Sequence, residues 1–151
     1  MRGAAAIVLV ASLVLGCGGP LPVRTVTIGG EPWTVYENGG TGMRGLPGFG
    51  DADGMLFDMG SEVDPTAVAF GMEEVGYPID IAWFDAGGGL VSTASMAACD
   101  APPCPLYHAD GPYRWAIEAP PGALVNMGPT DRLVVGDQDA STVQERPRQT
   151  R

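Results

Sequence analysis

The sequence predicts a mainly β protein, a compact antiparallel β-sandwich or jelly-roll-like barrel with one or two short helices. Gly (23 residues) and Pro (14 residues) together make up about a quarter of the chain, which is more than a helical bundle tolerates. β-Branched and aromatic residues occur in short runs, and glycine-rich turns separate these runs. Because 45% of the 151 residues are hydrophobic and 17% are charged, we expect a globular chain with one modest core.

The first 16 residues have the pattern of a secretory signal peptide. Arg2 supplies one positive charge, and residues 4–15 form an uninterrupted run of Ala, Ile, Val, Leu and one Ser. This run is too short for a transmembrane helix, which needs about 20 residues. The residues that follow, Val14-Leu15-Gly16-Cys17, resemble the lipobox of bacterial lipoproteins.

The lipobox resemblance implies that the chain is cut before Cys17 and that Cys17 carries a diacylglycerol. We therefore expect an exported protein whose partner is the membrane of the bacterial cell envelope, reached through its N-terminal lipid. Gly18, rather than Asp, favours the outer membrane facing the periplasm, by resemblance to enterobacterial sorting. An ordinary secreted protein, or an apolar helix buried in the core, is the alternative.

Composition divides the remaining chain into three parts. Residues 17–22 contain the lipidated Cys followed by a Gly/Pro tether, and residues 23–137 form the β-domain. Residues 138–151 are almost all polar, which predicts a disordered tail.

Two hairpins are the clearest local signals in the domain. Gly29-Gly30 separates two β-branched and aromatic runs, and Pro32 predicts a turn wider than two residues. Gly87-Gly88-Gly89 follows the longest apolar run. Short helices are expected at residues 41–46 and 121–128, the second one started by prolines and ended by Gly128. The predicted strands cover residues 24–28, 33–36, 55–57, 67–70, 78–85, 90–96, 113–118 and 132–135.

Six motifs in a fixed order resemble the domain of unknown function 192 family. The motifs are Gly45-Leu46; Gly54-Met55-Leu56-Phe57; Phe70-Gly71-Met72 with Pro78-Ile79-Asp80-Ile81-Ala82-Trp83-Phe84-Asp85; Cys99 and Cys104-Pro105-Leu106-Tyr107; Tyr113-Arg114-Trp115-Ala116-Ile117-Glu118; and Pro121-Gly122. The resemblance implies a jelly-roll-like β-sandwich of prokaryotic origin, often exported, whose biochemical function is not established. Where the family usually has Phe-Trp-Met-Lys-Asn-Thr, this chain has Phe70-Gly71-Met72-Glu73-Glu74-Val75, so a family site built on the Trp and Lys does not transfer.

Cys99 and Cys104 form an even pair once Cys17 is lipidated. An oxidising compartment favours a disulfide between them, and residues 100–103 predict a turn that brings their ends together. Two alternatives stay open. One is a zinc site of both cysteines with His108 and Asp110, and the other is a redox-active pair.

Asp80 lies inside an apolar strand, where an unpaired charge is costly, so it must find hydrogen-bond donors or face a cleft. Arg114 is the predicted buried partner. In the functional alternative, Asp80 acts with Glu73 or Glu74 in a cleft as an acid/base pair or a polar ligand clamp. The predicted ligand cleft consists of Phe70, Met72, Glu73, Glu74 and Asp80.

The remaining patterns exclude several functions. A formal charge of −10 argues against a nucleic-acid partner, because a phosphate backbone requires a basic face. No phosphate loop, dinucleotide fingerprint or serine-hydrolase elbow occurs, and we expect no cofactor and no metal. Two classes remain. The first is a non-catalytic envelope domain that binds a small molecule, glycan or envelope protein, and the second is an envelope hydrolase that uses Asp80 with Glu73 or Glu74.

Overall fold

Nine strands form the fold in the computed structural model, which describes residues 21–38 and 40–136. They are β1 (Val23–Ile28), β2 (Glu31–Glu37), β3 (Gly54–Val63), β4 (Phe70–Gly71), β5 (Ile79–Phe84), β6 (Leu90–Met96), β7 (Leu106–Tyr107), β8 (Tyr113–Ala119) and β9 (Leu133–Val135). The mainly β prediction is confirmed. The predicted signal peptide, Cys17 and the tail at residues 138–151 lie outside the described residues.

Seven strands form one sheet in the order β6-β5-β8-β3-β2-β1-β9, and β4 pairs with β7 in a second, small sheet. The sheet is mixed rather than wholly antiparallel, because β2 and β3 run parallel with Val35 opposite Gly54. A parallel pair needs a long connection, and the glycine-rich residues 38–53 supply it. The prediction of a purely antiparallel sheet is therefore wrong at this one pair.

The hairpin between β1 and β2 has a tight two-residue turn. Ile28 pairs with Glu31, and Gly29 and Gly30 have φ angles of 59° and 89°, as a turn with two positive φ values requires. The wider turn expected from Pro32 does not form. Pro32 instead lies within β2, opposite Thr27.

The two edges of the large sheet meet at one point. Arg132, just before β9, bridges to Gly89, just before β6, and the Leu133 N–H donates to the Gly88 carbonyl at 2.9 Å. A Cβ at Gly88 would lie 2.0 Å from the Leu133 oxygen. The absence of a side chain at Gly88 thus allows the edges to approach.

Both faces of the sheet are buried at its central strands, and β5 shows how they divide. Ile79, Ile81 and Trp83 belong to one apolar cluster, which β4 also joins, and we call this side the first face. Ala82 and Phe84 belong to a separate cluster on the second face. Alternation along the strand therefore decides which face each side chain reaches.

The expected short helices are absent from the described residues. Residues 41–46 and 121–128 form consecutive turns with hydrogen bonds such as Leu46 N to Met43 O (3.1 Å) and Met127 N to Leu124 O (3.3 Å). Gly42, Gly45 and Gly122 have positive φ angles, which interrupt a right-handed helix. The strand expected at residues 67–70 is also reduced to β4.

Candidate functional site

A cavity of about 270 Å³ opens on the first face, between the 38–44 loop, β4 and the ends of β5 and β8. Its walls are part apolar and part polar, and its charged lining residues within the described chain are Arg44, Glu73 and Glu118. The apolar walls include Phe57, Met59, Phe70, Met72, Val75 and Ile79. We refer to it as the Glu118 cavity.

Glu118 is the buried polar group of this cavity. It lies on the central strand β8 between Met55 of β3 and Ile81 of β5, and it is 5% exposed. Among the described residues, its Oε2 atom has no hydrogen-bond partner. Burial between apolar neighbours raises the pKa of Glu118 to about 7. Near neutral pH this carboxyl group is therefore present in both protonation states, and it can donate or accept a hydrogen bond.

An aromatic cluster supports the cavity from below. Phe70 makes edge contacts with Phe57 and Trp83, with ring centroids 5.2 and 5.9 Å apart, and lies 6.4 Å from Tyr113. Such pairs add about 0.5–1.5 kcal/mol each beyond their buried area. The two rings that line the cavity, Phe57 and Phe70, are thus packed against each other and into the core.

Tyr77, two residues before β5, fixes the chain just after the 38–44 loop. Its hydroxyl donates to the Leu46 carbonyl at 3.1 Å. Burial, together with the negative charge of Glu118, raises the pKa of Tyr77 above its usual value. Tyr77 therefore stays a neutral hydrogen-bond donor next to the site.

Glu73 and Glu74 lie at the surface around the mouth of the cavity. Arg44 approaches Glu73 Oε2 at 3.7 Å and Glu74 Oε2 at 3.5 Å, and all three side chains are more than half exposed. Exposed pairs of this kind contribute about 0–1 kcal/mol. Of the predicted cleft, Phe70, Met72 and Glu73 line the cavity. Glu74 is not among the lining residues, although it contacts the lining residue Arg44.

Asp80 does not belong to this cavity, and its predicted place in the cleft is wrong. Asp80 lies on the second face, is 3% exposed and accepts hydrogen bonds from Gly122 N (2.7 Å), Leu124 N (3.4 Å) and Ser95 Oγ (2.9 Å). The loop after β8 thus returns over the strand and supplies the donors. These contacts agree with the prediction that a buried Asp80 must find hydrogen-bond donors.

The predicted pairing of Arg114 with Asp80 is also wrong. Arg114 Nε contacts Asp58 Oδ1 at 3.3 Å, and its guanidinium lies 4.2 Å above the Trp115 ring. Asp80 pairs with Ala119 at the far end of β8, so Arg114 lies several residues away along the strand.

Cys99 and Cys104 are joined in a disulfide, with Cα atoms 5.9 Å apart, as the sequence predicts. Both sulfurs are used in this bond, so they do not form the alternative zinc set with His108 and Asp110. His108 Nδ1 lies 3.0 Å from the Pro65 carbonyl oxygen. The Cys99 N–H donates to the Val75 carbonyl at 3.2 Å, which ties the disulfide loop to a wall of the Glu118 cavity.

Comparison with known proteins now assigns the domain. Residues 35–135, well over half of the chain, match the profile of DUF192, described as "Uncharacterized ACR". The chain belongs to the DUF192 family. A search of curated proteins finds no match.

Two solved structures share the fold of this DUF192 chain. A protein from Sinorhizobium meliloti, described as a proposed transcription regulator, has a TM-score of 0.62 and 18% identity, over 76% of this chain and 95% of its own. A protein of unknown function from Novosphingobium aromaticivorans has a TM-score of 0.61 and 18% identity, over 87% of this chain and 99% of its own. At this identity the likeness shows the fold alone.

Sequence reasoning about this DUF192 domain missed Glu118. The run Tyr113-Arg114-Trp115-Ala116-Ile117-Glu118 alternates, and alternation places a terminal Glu on a solvent face. In the structure β8 lies between β5 and β3, with layers covering both faces, so Glu118 is buried. One feature of the sequence did indicate that this face is buried: Ala116, a small apolar residue, lies on the same face of β8 as Glu118.

Proposed function

We propose that this DUF192 domain binds a small ligand in the Glu118 cavity without catalysing a reaction, as a lipid-anchored protein of the bacterial cell envelope. The ligand has an apolar body and one basic nitrogen. The apolar body packs against the walls around Phe70 and Met72, and the nitrogen donates to Glu118.

The observation that carries this proposal is Oε2 of Glu118, which is buried and has no partner among the described residues. A buried acceptor without a partner costs about 1–3 kcal/mol. A ligand that brings an N–H donor removes this cost, and a charged ammonium also stabilises the carboxylate. The cavity volume of about 270 Å³ fits a small molecule rather than a polysaccharide or a protein.

We favour binding over hydrolysis because the carboxylates of the hydrolase alternative are not together. Asp80 faces the side of the sheet opposite to Glu73, and its oxygens are already held by Gly122, Leu124 and Ser95. Glu73 is exposed and paired with Arg44. Glu118 is the one buried acid in the lining of the cavity.

The envelope location rests on the N-terminal sequence and on the disulfide. The lipobox resemblance at Cys17 supports cleavage and lipidation, and Gly18 supports the outer membrane facing the periplasm. A Cys99–Cys104 bond fits an oxidising compartment. We further infer that the sheet is the jelly-roll-like barrel of the family, an inference supported by the bridge between Gly89 and Arg132.

Calorimetric titration of the full-length protein in a non-ionic detergent tests the binding proposal. The probes are benzylamine and cyclohexylamine, with benzyl alcohol and cyclohexanol as uncharged counterparts. We expect saturable amine binding that strengthens from pH 5 to pH 8, because Glu118 loses its proton in this interval.

Two variants make the test specific. Glu118→Gln is expected to weaken amine binding at least about tenfold, because one charge-assisted hydrogen bond is lost. Glu74→Gln, an exposed control with the same change of side chain, leaves the affinity unchanged. Amine binding that is absent in the wild-type protein, or equal in the wild-type and Glu118→Gln proteins, contradicts the proposal.

A further inference from the structure

A second cavity, of about 450 Å³, lies at the place where the edges of the large sheet meet. Three of the four Arg in the described part of the chain line it, namely Arg24, Arg114 and Arg132. It shares no lining residue with the Glu118 cavity. Trp115 and Leu133 of the second face form part of its wall, so the two cavities use opposite faces of the sheet. We call it the arginine cavity.

Sheet topology brings these arginines together from distant parts of the sequence. Arg24 is the second residue of β1, Arg114 is the second residue of β8, and Arg132 directly precedes β9. β1 and β9 are neighbours, and the Arg132 bridge to Gly89 returns β9 towards the opposite edge. The arginine cluster is thus a product of the closure of the sheet.

Each guanidinium is held in place by a neighbouring group. Arg24 Nε contacts Glu37 Oε1 at 2.9 Å, and its side chain is only 16% exposed. Arg114 is fixed by Asp58 and by the Trp115 ring, and Arg132 Nη2 donates to the Gly87 carbonyl. A guanidinium has five N–H groups, and these contacts of Arg114 and Arg132 each use a single nitrogen. The side chains are therefore oriented before a ligand arrives, which lowers the entropic cost of binding.

The charge of this cavity is opposite to that of the chain. The protein has a formal charge of −10, yet the cavity lining has three Arg and one acid, Asp58. Other carboxylates border the lining: Glu37 contacts Arg24, Asp85 accepts from the Gly87 N–H, and Glu62 accepts from the Ala86 N–H. The positive charge is therefore confined to the lining itself. An anion that enters the cavity meets these guanidinium groups first, and its attraction to them is strongest at short distance.

We propose that the arginine cavity binds the phosphate group of a small phosphate ester. The paired N–H groups of a guanidinium match the oxygens of a phosphate. Three arginines suit a phosphate dianion as ligand better than they suit a ligand with a single carboxylate. A volume of about 450 Å³ exceeds the need of the phosphate alone and accommodates an organic group of sugar size. Gly87 is exposed in the wall and has no side chain, which leaves room for that group.

A phospholipid headgroup is a second source of the same phosphate chemistry. Arg24 follows Cys17, the proposed lipid anchor, by seven residues, which span at most about 25 Å when extended. The headgroups of the membrane that holds the anchor are then within reach of the cavity.

Titration calorimetry of the full-length protein in a non-ionic detergent and chloride buffer tests the proposal, with glucose 6-phosphate as the probe and glucose as the uncharged counterpart. We expect saturable binding of glucose 6-phosphate and none of glucose. Arg114→Gln and Arg132→Gln each weaken it at least about tenfold. Arg44→Gln, the control with the same loss of charge outside this cavity, changes the affinity less than about twofold.

Amide chemical shifts of the wild-type protein locate the phosphate without relying on a variant that folds poorly. Addition of glucose 6-phosphate is expected to move the amide signals of Gly87, Gly88 and Val134 and to leave those of Met72 and Val75 in place. No saturable binding, shifts confined to other residues, or equal losses in Arg44→Gln and Arg132→Gln overturn the proposal. Because the readouts concern different residues, this result is independent of the amine titration of the Glu118 cavity.

Lipid nanodiscs distinguish the two sources of phosphate. The full-length protein is placed in phosphatidylcholine nanodiscs with and without phosphatidic acid, and the same amides are observed. Shifts on inclusion of phosphatidic acid identify the headgroup as the ligand, and shifts only after addition of glucose 6-phosphate identify a free ester. If neither addition moves these amides, the proposal is wrong.

Discussion

Asp80 and Glu118 lie on neighbouring strands but face opposite sides of the sheet. Asp80 pairs with Ala119 and Ile81 pairs with Glu118, so the two acids are diagonal neighbours of opposite orientation. Asp80 is surrounded by donors, whereas Oε2 of Glu118 has no partner among the described residues. One buried acid therefore stabilises the fold, and the other is available to a ligand.

Replacement of Asp80 is expected to reduce stability without affecting the Glu118 cavity. Asp80→Ala leaves the N–H groups of Gly122 and Leu124 without their acceptor and should lower the free energy of unfolding by roughly 3 kcal/mol. Urea denaturation measures this change, with Asp51→Ala as an exposed control. An Asp80→Asn protein that loses amine binding but keeps its melting temperature would be evidence against this role.

Glu118 is expected to make the protein less stable as the pH rises. Its pKa is about 7 in the folded protein and 4.5 ordinarily, so between these values the unfolded chain releases a proton that the folded protein retains. The contribution of this group to the free energy of unfolding is therefore greatest below about pH 4.5. It decreases by on the order of 3 kcal/mol between about pH 4.5 and pH 7 and is constant above that.

Glu118→Gln removes this dependence because the amide does not ionise. At pH 8 the variant should melt about 10–15 °C above the wild-type protein, and near pH 4.5 the two should be nearly equal. Thermal unfolding followed by circular dichroism at both pH values measures the effect. The control Glu74→Gln, at an exposed position, should follow the wild-type curve, and a pH dependence that persists in Glu118→Gln contradicts the assignment.

The disulfide is expected to contribute a modest part of the stability. The chain-entropy relation gives about 2 kcal/mol for the short loop between Cys99 and Cys104. The Cys99→Ser/Cys104→Ser protein and the reduced wild-type protein should unfold at the same, lower urea concentration. Thiol titration of the unfolded, unreduced protein should find neither cysteine free, and two titratable thiols from this pair would rule out the bond.

Two glycines with similar φ angles test the closure of the sheet. Gly88 (φ 82°) approaches the Leu133 carbonyl, whereas Gly30 (φ 89°) has open space around its Cβ position. Gly30→Ala should cost about 1 kcal/mol from backbone strain, and Gly88→Ala at least about 3 kcal/mol because the edges must also separate. Urea denaturation compares them. If both variants lose the same free energy of unfolding, the close approach of Gly88 to Leu133 does not contribute to stability.

Cys17→Ser is expected to release the protein from the membrane. Several acyl chains give stable attachment at about 0.8 kcal/mol per buried methylene, and serine cannot carry the thioether. Fractionation of cells followed by immunoblotting measures the change, with Ser12→Ala in the same apolar segment as the control. A Cys17→Ser protein that remains wholly in the membrane fraction is incompatible with the lipoprotein proposal.

Local sequence patterns predict most strands well, because the apolar run that forms a strand and the turn residues that end it are adjacent in the sequence. Residues 78–85 contain β5, and the Gly29-Gly30 turn produces the first hairpin. The predicted helix at residues 41–46 fails for a local reason, the positive φ angles of Gly42 and Gly45, and the one at residues 121–128 fails for a tertiary reason as well. Asp80 takes the Gly122 and Leu124 N–H groups, so the chain after β8 is fixed in turns.

By itself the sequence determined the mainly β class. It also predicted a Cys99–Cys104 bond with two alternatives open, and it named Phe70, Met72 and Glu73, which line the cavity. Only the tertiary structure decided that Glu118 rather than Asp80 enters that cavity, and that Arg24, Arg114 and Arg132 share another. Strand order and register set these outcomes. They depend on pairings between distant segments, and a shift of one residue exchanges the two faces.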